Sequence, residues 1–270
     1  MAKIQLIQKL IEDGFFDTRR EAEAYLMAGN ILVDGAKVTK NIKVSADSAV
    51  TVVTPPYSGK GGLKLEHALD ALKVSVKDQV CVDAGASTGG FTDCLIKKGA
   101  RLVYAVDVGY GQLAGTLRQD PRVVNLEKTN ISQPELTRLD PRPVLGTVDL
   151  SYLSLRKGVP YFRSILHDSG DLICLVKPLF EIDDPEARRT GSIAPDAYGP
   201  ILKGLAVHFQ ADGICCGGIT YSPVTGNKGT IEFFMRLILG GRALMPEEKM
   251  DLEIGAAVER ALMLDPYRKA

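Results

Sequence analysis

The sequence has no net charge, since 33 Lys and Arg balance 33 Asp and Glu. That argues against a strongly electrostatic nucleic-acid binder, so any basic surface must be local. No apolar run approaches the roughly 20 residues that a membrane-spanning helix needs. The first residues lack the basic-then-apolar pattern of a secretory signal, so a cytoplasmic protein with no membrane partner is expected. Histidine is scarce, with three scattered residues (67, 167 and 208), and the five cysteines (81, 94, 174, 215 and 216) show no Cys-x-x-Cys spacing. Buried thiols are expected rather than a metal site or disulfides. The dinucleotide fingerprint G-x-G-x-x-G is also missing, because Ser87 stands where its second glycine would be. No internal repeat or low-complexity tract interrupts the chain.

What is present is an ordinary globular composition, 45% hydrophobic and 24% charged, in 270 residues. That length holds one large α/β domain and a small one. The informative stretch is Gln79 to Asp107. Val80 to Val82 reads as a buried strand, and Asp83-Ala-Gly85-Ala-Ser87-Thr88-Gly89-Gly90 as a glycine turn. Thr92 to Lys98 reads as a helix stopped by Gly99, and Leu102 to Val106 as a second strand ending on Asp107. Glycines let backbone approach a ligand, and an acid at the second strand end suits a ribose diol. The unit therefore binds a nucleoside. A carboxylate in the turn, Asp83, would repel a pyrophosphate but tolerates a sulfonium and an ammonium. This favours S-adenosyl-L-methionine over NAD; glycines that merely pack helix against strand are the plainer alternative.

In chain order, Ile4 to Ile11 predicts a helix ended by Gly14, and Thr18 with Glu21 predicts a capping box for a second helix. Asn30 to Thr39 predicts a hairpin, and Val44 to Val53 a further strand. Thr54 to Gly62 is a proline- and glycine-rich joint, followed by a helix from Lys64. A helix is expected over Tyr110 to Leu117 and a strand over Val123 to Leu126, beyond which Asn130 or its neighbours could edge an adenine ring. Further strands are expected at 144–150, 171–176, 214–222 and 230–239, the last two antiparallel and joined by residues 223–229. Helices are expected at 155–166, 201–210 and 246–264, with a loop over 183–200. Strands alternating with helices imply a mostly parallel sheet covered on both faces. Asp149 and Lys177 fall at strand ends, and Glu232 follows a glycine turn. Each alone also fits a plain role: helix cap, solvated strand end, edge-strand charge.

Two resemblances organise these residues. Thr18-Arg19-Arg20-Glu21-Ala22, Ala28-Gly29-Asn30-Ile-Leu-Val33-Asp34-Gly35 and Val38 resemble the small ribosomal-protein-S-four-type RNA-binding domain. The resemblance implies that Arg19, Arg20 and Lys37 face RNA phosphates. Residues 1–53 nonetheless carry seven Lys/Arg against seven Asp/Glu, and the first helix opens Lys3-Ile-Gln where relatives carry an Arg-Leu-Asp-like start.

The longer match comprises Gly61-Gly-Leu-Lys64-Leu, Asp83 to Cys94, Tyr104 to Leu113, Arg118-Gln-Asp-Pro-Arg122, Asp149-Leu-Ser151, Leu175-Val-Lys-Pro178 with Phe180-Glu181, and Ser222-Pro223 with Gly229-Thr-Ile-Glu-Phe233. These resemble the TlyA (haemolysin A) family, which joins that RNA-binding domain to an FtsJ-like ribose 2′-O-methyltransferase domain. The resemblance implies an α/β, Rossmann-like S-adenosylmethionine-dependent methyltransferase fold with a seven-stranded, mostly parallel sheet, preceded by a small α+β RNA-binding domain. The boundaries are 1–53 for the small domain, 54–63 for the linker and 64–270 for the methyltransferase domain.

Carried onto this sequence, the catalytic set is Lys64, Asp149, Lys177 and Glu232. Lys177 holds the hydroxyl between Asp149 and Glu232, and Lys64 fixes the nucleotide. The donor set is Asp83, Gly85, Ser87, Thr88, Gly89, Gly90, Asp107 and Asn130. Lys60 joins the RNA-facing residues, and ribosomal RNA or a ribosomal subunit is the implied partner, with cytidine methylated in the family. Departures fall at Ser58-Gly59-Lys60, where the family carries Val-Ser-Arg, and at Leu179, where Gln is common. The competing functions are an RNA-binding protein with this fold but little turnover, and a haemolysin-like membrane-active protein.

Overall fold

The computed structural model describes residues 3–27, 29–226 and 229–264. The chain divides into two compact units after Pro56.

In the first unit, strand β1 (Lys3–Gln5) runs straight into helix α1 (Leu6–Glu12), so the apolar stretch from Ile4 begins extended and turns helical at Leu6. Helix α2 (Arg19–Met27) opens on its expected cap, with the Glu21 amide donating to Thr18 Oγ1 at 3.3 Å. Strands β2 (Ile31–Val33) and β3 (Ala36–Val38) form the hairpin, turned by Asp34 and Gly35, both at positive φ. Residues 44–53 are not one strand but two. β4 (Lys43–Ser45) pairs with β1, and β5 (Val50–Val52) with β2. A turn breaks the run: the Ser48 amide donates to Ser45 O at 3.1 Å, and the Ala49 amide to Asp34 Oδ1 at 2.8 Å. Leu6, Leu10, Ala22, Leu26 and Ile31 form the core of this unit. Ala28 of the hairpin motif lies outside the described residues.

The second unit is the α/β body. Its elements are α3 (Gly61–Ala71), β6 (Val80–Ala84), α4 (Gly90–Lys97), β7 (Leu102–Val106), α5 (Gly115–Gln119), β8 (Val123–Leu126), β9 (Leu145–Val148) and α6 (Leu155–Ile165). There follow β10 (Gly170–Val176), the short helices α7 (Pro178–Glu181) and α8 (Pro185–Thr190), α9 (Tyr198–Ala211), β11 (Cys215–Tyr221), β12 (Phe233–Leu239) and α10 (Glu247–Leu262). The seven strands form one sheet of order β11-β12-β10-β9-β6-β7-β8. β12 inserts between β10 and β11 and runs antiparallel to both, while β10, β9, β6, β7 and β8 are parallel.

Alternation along β6 explains the layering. Val80, Val82 and Ala84 face the core shared with α6, α9 and α10, whereas Cys81 faces the core shared with α3, α4 and α5. All five cysteines are buried and unbridged. The chain leaves β6 toward β7 and returns later as β9 on its other side, which makes the carboxyl end of β6 a switch point where ligand crevices open.

Three stretches differ from the sequence expectation. Residues 110–114 are irregular, and the helix begins only at Gly115, because the Ala114 amide is tied to Thr88 O at 3.2 Å and the Gln112 side chain to Ser87. The 183–200 stretch contains α8, whose first turn is capped by Asp184 accepting from the Glu186 and Ala187 amides. Helix α3 starts at Gly61, three residues before Lys64, and the joint preceding it holds Tyr57 in the core. Residues 227–228 of the 223–229 connection lie outside the described residues, as do residues 265–270 at the end of the stretch assigned to the large domain.

Gly62 permits that junction, since a Cβ there would stand 2.2 Å from Tyr57 Cγ. Gly62→Ala should therefore cost about 1–3 kcal/mol of stability by overpacking. A lowered urea midpoint with unchanged slope is expected; an unaltered midpoint would show that Tyr57 yields freely.

Candidate active site

The ends of five parallel strands converge on one cavity of about 740 Å³, within the range of small-molecule sites. β6 contributes Gly85 and Ser87, β7 contributes Asp107, the chain after β8 contributes Thr129, Asn130 and Ile131, β9 contributes Asp149 to Leu153, and β10 contributes Lys177. From α3 come Lys64 and the adjoining Lys60, and from the β11–β12 connection Gly226 and Glu232.

All four residues of the expected catalytic set line this cavity, as two ion pairs. Lys177 Nζ lies 2.6 Å from Asp149 Oδ1 and donates to Leu150 O at 3.1 Å and Ser151 Oγ at 3.4 Å. Lys64 Nζ donates to Glu232 Oε2, with the two residues only 5% and 6% exposed. The expected arrangement of Lys177 between Asp149 and Glu232 is thus replaced by one carboxylate per lysine. Lys64 stands on α3 and Glu232 immediately precedes β12, so the helix and the antiparallel strand bring the second pair together.

The donor-side residues divide into those that line the cavity and those that shape it. Gly85 has φ +86°, and a Cβ on it would fall 2.2 Å from the Asp149 carbonyl oxygen, so this turn accepts only glycine. The Ser87 amide donates to Asp107 Oδ2 at 2.8 Å and the Gly109 amide to Oδ1 at 2.7 Å, which fixes the carboxylate at the cavity wall. Asn130 Oδ1 accepts from the Ser132 amide and hydroxyl at 3.0 and 2.9 Å, which orients its side chain.

Asp83, expected to meet the donor, does not line the cavity. It is fully buried under the turn, accepting from Thr92 Oγ1 at 2.6 Å and Thr147 Oγ1 at 2.8 Å, so it ties β6 to α4 and β9. Thr88, Gly89 and Gly90 likewise lie outside the lining: Thr88 is exposed, and the two buried glycines begin α4. In the first unit, Arg19 and Arg20 are exposed on α2, Arg19 paired with Glu23 at 2.8 Å, and Lys37 is exposed on β3. Lys60 belongs to the second unit and lines the cavity.

Sequence reading missed Gln112, Tyr152 and Gly226. Their signal was position, since each lies a few residues beyond a strand end. Gln112 Oε1 accepts from Ser87 Oγ at 3.2 Å. Tyr152, 91% exposed at φ +64°, stands at the rim with its ring 5.5 Å from that of Phe180.

The strand order, the glycine turn under a strand-end acid and the open cavity define a Rossmann-like methyltransferase domain. Residues 57–238 match the FtsJ-like methyltransferase family, and the chain belongs to that family. YqxC of Bacillus subtilis is 40% identical over 93% of this chain and 92% of its own length. A Mycobacterium tuberculosis protein named 16S/23S rRNA (cytidine-2′-O)-methyltransferase TlyA is 36% identical, covering 85% of this chain and 87% of that one. Hemolysin A of Brachyspira hyodysenteriae is 35% identical over 87% of this chain and all of its own length. A solved Streptococcus thermophilus structure described as a hemolysin superposes with a TM-score of 0.72 at 32% identity, over 96% of this chain and 97% of that one.

Burial pushes the Asp83 carboxyl up to about 6, with the two threonine hydroxyls opposing the rise. That lies above the roughly 3.9 of an unfolded aspartate, so the folded state holds this proton longer. Asp83 therefore favours folding below about pH 4, and the contribution is lost as pH rises through about 6. Relative to the wild type, Asp83→Asn should gain stability as pH is raised across that window. A stability difference independent of pH would contradict the buried-acid assignment.

Proposed function

We propose that this chain transfers a methyl group from S-adenosyl-L-methionine to a ribose 2′-oxygen of ribosomal RNA, on a cytidine, in the cytoplasm. The observation that carries the reading is the presence of two lysine–carboxylate pairs, Lys177–Asp149 and Lys64–Glu232, on the wall of one strand-end cavity. The activity in the name of the Mycobacterium tuberculosis relative supports the substrate, and the similarity extends over most of both chains.

The cavity suits the donor. Asp107 and Asn130 stand at the ends of β7 and β8, where a ribose diol and an adenine edge would be held, and the backbone of Gly85 and Ser87 approaches without a bulky side chain. Asp83, Gly89 and Gly90 act beneath that surface by holding the turn. When bound, the donor supplies an electrophilic methyl group on a sulfonium.

A ribose hydroxyl is a poor nucleophile, and this chain supplies what it needs. Lys177 Nζ is aimed by Asp149, Leu150 O and Ser151. In its unprotonated form it accepts the hydroxyl proton. The Lys64–Glu232 pair fixes the nucleotide from the α3 side. Alignment of oxygen and methyl is the larger contribution, worth up to roughly 7–11 kcal/mol. The exposed ring of Tyr152 offers a face on which an unpaired base stacks. Residues 1–53 form the RNA-holding domain through Arg19, Arg20 and Lys37, joined by 54–63 to the methyltransferase domain 64–270, with Lys60 meeting RNA at the cavity.

A membrane-lytic reading rests on the hemolysin name of the Brachyspira relative. Among the described residues no helix is long and apolar enough to cross a membrane.

Incubation of ribosomal subunits with the protein and isotope-labelled donor should label RNA. Lys177→Ala should reduce the rate by about 10²–10⁴-fold, the range for loss of a positioned acid–base group. Equal activity of the variant would remove Lys177 from the chemistry. Leakage of lipid vesicles without donor, and no labelling, would favour the lytic reading.

A further inference from the structure

Packed against the Gly85 turn, one part of the cavity wall is a loop of six residues, Asp149 to Ser154, between β9 and α6. Four of them, Leu150, Ser151, Tyr152 and Leu153, line the cavity beside Asp149. Such a loop, with one residue at φ +64°, does not hold its shape alone. What holds it is the segment after β10. Lys177 donates to Leu150 O and Ser151 Oγ, Phe180 packs on the Tyr152 ring, and Glu181 takes the far end. Glu181 Oε2 accepts from Ser154 Oγ at 2.6 Å and Oε1 from the Leu155 amide at 2.7 Å. Ser154 Oγ in turn accepts from the Arg156 amide at 3.2 Å, so one carboxylate closes the first turn of α6 and anchors the loop.

We infer that Glu181 is a positioning residue for the target nucleotide, holding the 149–154 loop so that Tyr152 presents its ring at the cavity rim. Glu181 does not line the cavity and is set back from the reacting atoms. It acts through Ser154 and Leu155 on one side and, four residues back along α7, shares its segment with Lys177. The two side chains lace the same loop from both ends, so the amine and the base-facing ring are set by one rigid element. Burial, opposed by the bonds from Ser154 and Leu155, raises the Glu181 carboxyl above the ordinary glutamate range, as expected for an enclosed anchor. A plain helix cap would stabilise α6 without affecting how RNA binds.

The inference rests on the methyl-transfer reading, and a readout without catalysis keeps the two separable. The chain has no tryptophan, so Tyr152→Trp places a single reporter on the loop. In that background Glu181→Ala should lower the fluorescence anisotropy of the ring, while Glu181→Gln, which keeps an acceptor for Leu155 and a partner for Ser154, should preserve it. In the Tyr152 protein, Glu181→Ala should raise KM for ribosomal subunits at least about fivefold and lower kcat about tenfold, with donor affinity changed less than about twofold. Glu181→Gln should restore both.

Unchanged anisotropy in Glu181→Ala would overturn the inference. So would a drop in Tm with KM and kcat intact, or a Gln variant as impaired as the Ala one. If the parent protein transfers no methyl group, the functional reading fails, and the anisotropy series alone decides whether Glu181 orders the loop.

Discussion

Pairing of Lys64 with Glu232 and of Lys177 with Asp149 is the constraint on which the rest of the structure depends. A buried ion pair is expensive, since desolvation offsets most of the attraction and a hydrophobic pair of the same size would serve stability as well. Lys64 and Glu232 are nevertheless enclosed almost completely, and the fold is shaped to keep them so. β12 is turned against the direction of its neighbours, so Glu232, just before its start, lies at the carboxyl end of the parallel strands. Gly226 leaves room for the carboxylate, since a Cβ there would meet Glu232 Oε1 at 2.2 Å. Removing either partner would strand a charge in the interior. The pair is better understood as a fixed polar feature of the site than as a contribution to folding.

The second pair sits differently. Lys177 and Asp149 follow the ends of neighbouring parallel strands, where the β9–β10 register pairs Val148 with Cys174, and the Lys177 amine reaches the Asp149 carboxylate at 2.6 Å. The same registry aligns β6 with β9, so the Gly85 turn approaches the Asp149 carbonyl so closely that any side chain would collide. The Gly85 turn and the 149–154 loop are therefore one packed assembly. Asp83 supports it from below by bonding Thr92 of α4 and Thr147 of β9, which fixes the turn between those two elements.

Much of this was legible in the sequence, and the exceptions are instructive. The β6–α4–β7 unit could be read because its strands are short apolar runs bounded by glycines, and local pattern decides such elements. Strand ends carrying Asp107, Asn130, Asp149 and Lys177 follow directly from those boundaries. Local pattern could not show that Lys64 meets Glu232, which lies 168 residues away. Nor could it show that Asp83 points into the protein while Ser87 faces the cavity. The irregular path from Tyr110 to Ala114 escaped because side-chain and backbone bonds to the Ser87–Thr88 turn override a helical apolar spacing. The 44–53 strand escaped because the bond from the Ala49 amide to Asp34 Oδ1 crosses 15 positions. Tyr152 was hidden by its type, since an isolated exposed aromatic carries no pattern until its surroundings are known.

The central claim is that these paired lysines present a ribose oxygen, and not a base atom, to the methyl group. Nucleoside mass spectrometry of ribosomal RNA, after incubation with the protein and a deuterated-methyl donor, tests it most directly. The account predicts that the label resides on the ribose of a 2′-O-methylated cytidine. Label on a base carbon or nitrogen would contradict it.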